Sequence, residues 1–112
     1  MEDILLELAS RMDSDGGMPG KNPEWRAGAS MVALLAFVSQ GHTRTRGAFR
    51  SHVARIESFL ESLAGLSKHQ QEVVGAVLEL ARKGTAPSGD WMTLARASGD
   101  HWKEVERSLA RA

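Results

Sequence analysis

The chain has no cysteine. That excludes disulfides, thiolate zinc sites and cysteine nucleophiles, and it fits a reducing cytosol. It also lacks any excess of charge: fourteen basic and fourteen acidic residues cancel. Net charge therefore exerts no global pull toward nucleic acid or an anionic membrane, and binding of that kind would need a local patch. No apolar run reaches the ~18 residues of a transmembrane helix; the longest is MVALLAFV, residues 31–38. The acidic start MEDILLELASRMD has no basic region of the sort that opens a signal peptide. There is no P-loop, no GxGxxG, no GxSxG elbow and no HExxH. Strand-like alternation is missing as well, because the β-branched residues sit inside helical periods.

What is present is ordinary for one globular domain: 112 residues, 42% of them hydrophobic and 25% charged. From Asp3 to Met12, Ile4, Leu5, Leu8 and Met12 fall on one helical side, with Asp3 as cap. NPEWRAGASMVALLAFVSQG reads as a second, central helix, with Asn22 as N-cap, Pro23 in the first turn and Gly41 just past its end. A third is expected from about Gly47 to Ala64, because Phe49, Val53, Ile56, Leu60 and Leu63 step by four, three, four and three. Ser67 and Gln70 form the pattern of a capping box for a fourth helix, which Lys83 and Gly84 close. Two short elements follow, DWMTLARASG from Asp90 and DHWKEVERSLARA from Asp100. The expected fold is all-α: a compact single domain, residues 1–112, of about five helices, with an ordered DGG-type loop between the first two.

That loop, RMDSDGGMPGKNPEW (residues 11–25), spaces Asp13, Asp15 and Glu24 like the first, third and twelfth ligands of a calcium loop. The positions between them do not follow. Met18 stands where the turn needs glycine, and Pro19 and Pro23 stiffen the chain. The expectation is an ordered connector in which Asp15 bonds backbone amides, not a cation.

The densest basic stretch is GHTRTRGAFRSHVAR. It places His42, Arg44, Arg46, Arg50, His52 and Arg55 within residues 42–55. Arg46 and Arg50 are four apart, so a helix would put them on one side. Two readings stand: a grip on a phosphate or an acidic partner through guanidinium contacts, or a solvated face paired to Glu57, Glu61 or the acidic first helix. Readers of single-stranded nucleic acid interleave aromatics with basic residues, and only Phe49 is near, so nucleic acid is the less expected partner; a small anion- or nucleic-acid-binding helical domain using the basic cluster at 42–55 is the alternative reading. The four histidines are scattered, and no metal or other cofactor is expected from them. Trp25, Trp91 and Trp102 each fall in the first turn of an expected helix, where a ring packs and its N–H finds an acceptor. All three are expected to pack; if any one is exposed it is Trp25, which borders the loop. The candidate partner- or anion-binding set is therefore His42, Arg44, Arg46, Arg50, Arg55 and Trp25; no catalytic residue is assigned.

Read together, LLELASRMDSDGGMPG, ALLAFVSQGHT, GAFRSHVARIESFLE and GDHWKEVERSL resemble the small helical C-terminal region of bacterial proteins that carry a VIT domain and a von Willebrand factor A domain. In that group a helix leads to an aDGsW-like turn, and apolar helices and a tryptophan-containing final helix follow. Here SDGGM stands at the turn, with Met18 in place of the aromatic. The turn is also similar to the DGG turns that link helices in α/α-toroid repeat proteins. The family's metal site belongs to its von Willebrand domain, whose DxSxS motif is absent here, so no metal ligand carries over. The resemblance implies a non-enzymatic accessory module of a larger protein that contacts other domains of its parent or a partner protein.

Overall fold

The computed structural model describes residues 2–97 and 99–111, with Glu2 in its backbone only. Six helices run through it: α1 (Glu2–Arg11), α2 (Pro23–Ser39), α3 (Arg50–Ser62), α4 (Lys68–Arg82), α5 (Trp91–Arg96) and α6 (Trp102–Arg111). The domain is all-α. The expected count of about five becomes six because both short C-terminal elements are helices in their own right.

Every other helix touches α2. The cause lies in its composition: Met31–Val38 is apolar all round, and all eight of these residues are buried. A helix with no polar face reaches its free-energy minimum only when surrounded. Its start is fixed as the sequence implies. The Asn22 side chain accepts from the Trp25 amide at 2.8 Å, and Pro23 occupies the first turn. Small residues set the approach of its neighbours. A methyl on Gly28 would collide with the carbonyl oxygen of Asp100, so the start of α6 lies directly against α2. There the Trp102 indole donates to the Glu24 carbonyl at 2.8 Å.

The remaining caps follow from local chemistry. Ser67 and Gln70 exchange side-chain and backbone bonds at 3.0 and 3.1 Å, completing the capping box of α4. The Gln70 amide also bonds the Glu24 carboxylate, tying α4 to the first turn of α2. Asp90 accepts from both the amide and the hydroxyl of Thr93 at the head of α5. Trp91 is buried and donates to the Pro87 carbonyl at 2.7 Å.

Three expectations need correction. Helix α1 begins at Glu2, so Asp3 lies inside it and does not cap it. Helix α3 begins at Arg50, not near Gly47. Thr43 and Arg46 close a tight turn by exchanging backbone bonds at 2.9 and 3.3 Å, and Gly41 and Gly47 flank it with positive φ. The apolar stripe carried the expected helix back through Phe49, but Gly47 in the left-handed region breaks it. Arg46 therefore sits on a turn and does not share a helical face with Arg50. At the head of α6, Asp100 is a weak cap, 3.5 Å from the Trp102 amide, and His101 adopts φ 55. The expected ends at positions 98 and 112 lie outside the described residues.

Candidate functional site

The connector between α1 and α2 is organised by one side chain. Arg26, in the second turn of α2, reaches back across the loop. Its Nη2 donates to Asp13 at 3.0 Å and Asp15 at 2.7 Å, and its Nε donates to the Met18 carbonyl at 3.1 Å. The guanidinium lies 4.7 Å from the centre of the Phe59 ring, a cation–π distance. Arg26, and then the Gly17 amide at 3.0 Å, hold the Asp15 carboxyl below the usual carboxylate range. Asp15 thus bonds a backbone amide as expected, but its stronger partner is a guanidinium. Arg55 joins from α3, donating to the carbonyls of Asp13 and Ser14 at 3.2 and 3.3 Å. Gly16 and Gly17 have no room for side chains: a Cβ on the first meets the Arg55 carbonyl, and on the second the Phe59 ring. Of the three carboxylates that suggest a calcium loop, Asp13 and Asp15 share the Arg26 guanidinium and Glu24 accepts from the Gln70 amide.

The basic stretch divides. His42 is half-buried and edge-on to Phe49, with ring centres 5.0 Å apart; Phe49 in turn packs on Phe37 and His52. Arg44 leans over the turn toward Glu57, 3.7 Å away. Arg55 is bound into the loop below. Arg46 and Arg50 are exposed, and among the described residues neither has an ion-pair partner. Trp25 lies elsewhere: it lines a cleft that includes none of these arginines. So the structure brings together His42, Arg44, Arg46 and Arg50 on and beside one turn, and it separates Arg55 and Trp25 from them.

Glu57 is the most unusual group in the chain. It points from α3 into the interior with only 1% of its side chain exposed, and neither oxygen has a hydrogen-bond partner. Arg44 and Arg82 stand at 3.7 and 4.0 Å, too far to bond. Burial pushes its carboxyl above the usual range; the two arginines pull it back, and Glu61 adds to the rise. The signal was available in the sequence. Position 57 lies between Val53, Ile56 and Leu60, inside the apolar stripe, where a carboxylate must be buried.

A cleft of about 300 Å³ opens where α2 turns Trp25, Ala29 and Val32 toward the end of α5. Pro19 and Met18 of the loop form one wall, and Leu94 to Ala97 form the other. Arg11, Arg96 and His101 add polar groups. Sequence reasoning found only Trp25 here, because the other three come from separate elements with no shared spacing.

Compared with protein-family models, curated proteins and solved structures, the chain matches none. The functional reading therefore rests on the geometry. Among the described residues no three His, Asp or Glu side chains converge as metal ligands would, and no helix is long and apolar enough to cross a membrane.

Proposed function

We propose that this domain is a non-enzymatic helical interaction module, akin to the C-terminal region of VIT and von Willebrand factor A proteins. It docks an acidic segment of a parent or partner protein on the turn at residues 42–50. The observation that carries the reading is the state of Arg46 and Arg50. Other arginines near the loop and Glu57 are engaged: Arg26 and Arg55 hold the 13–18 loop, and Arg44 and Arg82 flank Glu57. Arg46 instead projects from a turn closed by two backbone bonds, and Arg50 from the first residue of α3, next to the buried Phe49. Guanidinium groups held on a rigid base lose little entropy on gripping carboxylates.

A protein partner fits better than single-stranded nucleic acid. Phe49, the aromatic beside these arginines, is 6% exposed and leaves no face on which a base could stack. A non-enzymatic role fits the placement of Glu57, whose raised carboxyl is sealed from any substrate. A cytoplasmic setting fits the lack of cysteine.

The test is a titration with a fluorescent Glu-rich peptide, and in parallel with single-stranded DNA and RNA, across a salt series. The acidic peptide should bind, with affinity falling as salt rises. The double variant Arg46→Gln/Arg50→Gln should weaken it about tenfold or more with an unchanged helical circular-dichroism spectrum. Tighter binding of nucleic acid than of the peptide, or a double variant that binds as well as the parent chain, would refute the proposal.

A further inference from the structure

The cleft beside Trp25 is separate from the basic turn and has its own chemistry. Its floor is partly apolar. Trp25 and Ala29 lie four apart on one face of α2 and are half-buried, and Val32 backs them, fully buried. Leu94 extends the apolar surface, and the buried Met18 backs it. The space of about 300 Å³ equals that of about ten waters at ~30 Å³ each, the lower end of the range for small-molecule sites.

The charged side chains of the rim have one sign. Arg11 and Arg96 line the cleft, and among the described residues no acid does; the imidazole of His101 completes the rim, with Glu104 4.0 Å behind its Nδ1. Arg11 uses one Nη2 bond, at 3.0 Å, on the Ala95 carbonyl, which orients it. The neighbouring acid, Glu7, stands 3.9 Å from both Arg11 and Arg96, beyond hydrogen-bond distance. Guanidinium donors therefore remain for another acceptor. His101 adds an independent observation. It is a non-glycine residue at φ 55, and strain of this kind clusters at ligand sites. The conformation holds its ring 3.2 Å from the Ala97 carbonyl at the mouth, with only 12% of the side chain exposed.

We infer that this cleft binds a small organic carboxylate with an apolar or aromatic body. The body lies on Trp25, Ala29 and Leu94, and the carboxylate meets Arg96 and Arg11. The size of the space and its single-sign rim favour a free small molecule over the side chain of a docked peptide.

The experiment uses the full chain and nuclear magnetic resonance of the three tryptophan indole N–H groups, with Trp25 assigned through Trp25→Phe. The probes are 3-phenylpropionate, indole-3-acetate and octanoate, with neutral 3-phenylpropanamide as control. At least one carboxylate should shift the Trp25 signal saturably, while Trp91 and Trp102, bonded to Pro87 and Glu24, move little. The amide should bind about tenfold more weakly, and Arg96→Gln should cost the carboxylate a similar factor, as expected for a lost charge-assisted bond. Arg96 is exposed, so this variant tests binding without threatening the fold. The inference is overturned if no carboxylate gives a saturable shift, if amide and carboxylate bind alike, or if Arg96→Gln leaves affinity unchanged. Because Arg46 and Arg50 take no part, failure here leaves the basic-turn proposal standing, and the reverse holds too.

Discussion

Replacing Glu57 with leucine should make this domain more stable at neutral pH. In the folded state the carboxylate is sealed, with two oxygens that bond nothing. A buried polar group left without partners costs about 1–3 kcal/mol, and more when charged. Against this stand two arginines at 3.7 and 4.0 Å. At an effective dielectric near 20 a pair at ~4 Å would gain about 4 kcal/mol. Arg44 and Arg82 are 51% and 40% exposed, however, and pairs with that much water give nearer ~0–1 kcal/mol each. Burial wins, which is why the carboxyl is pushed up despite both cations. Leucine of similar volume removes the desolvation and strands nothing. Arg44 can turn to water, and Arg82 keeps Glu61 at 2.9 Å. The expected gain is about 1–3 kcal/mol, or roughly 4–12 °C in Tm for a domain of this size.

The pH dependence gives a second, independent reading of the same group. A carboxyl raised in the folded state binds its proton more tightly there than in the unfolded chain. Its contribution is most favourable below the unfolded value near ~4.3 and is lost as pH rises through the folded value. Urea unfolding from pH 4 to 8 should therefore show the gap between Glu57→Leu and the parent chain widening toward neutrality. A leucine variant less stable at pH 7, or a gap that does not narrow in acid, would refute the reasoning and mean that the arginines overcome desolvation.

Three further outcomes are expected. Arg26→Gln should destabilise by about 2 kcal/mol, through the lost Met18, Asp13 and Asp15 bonds. Since Asp15 is held below its ordinary value, that difference should shrink as pH falls through the folded value, below ~3.9; millimolar calcium should leave the parent Tm unchanged. Gly28→Ala should cost about 1–3 kcal/mol by driving α6 off α2, seen as a changed Trp102 fluorescence as well as a lower melting point. Gly75→Ala, by contrast, should stabilise by about 0.5–1 kcal/mol in thermal melts, because the site is an exposed helix interior with open space around it.

Much of the fold was legible because local chemistry and tertiary demand agree. Asn22–Pro23, Ser67 with Gln70, and Asp90 each satisfy first-turn amides from nearby in sequence, and each cap formed as expected. The apolar run of α2 announced a central helix. The errors lie where two local signals compete. At residues 47–49 the apolar period favoured helix while a left-handed glycine favoured turn, and the glycine prevailed. The candidate site was harder to read. Arg46 and Arg50 were found as a cluster, but which arginines stay free depends on contacts such as Arg55 with Asp13, 42 residues away. Arg11, Arg96 and His101 come from α1, α5 and the residue before α6 and meet only through tertiary packing, so no spacing foretold the cleft.

The loop that looks like an ion site carries its own cation. Arg26 stands where a divalent ion would sit among the carboxylates, but it is covalently attached through α2. Its local concentration around Asp13 and Asp15 is set by a tether of about a dozen residues and not by the solution. A chelator cannot remove it, and an ionic change in the surroundings cannot reload it. Its delivery depends on folding alone: Arg26 faces the loop only once the first turns of α2 have formed. The loop is thereby an internal reporter of α2, ordered when that helix is ordered and released when it frays.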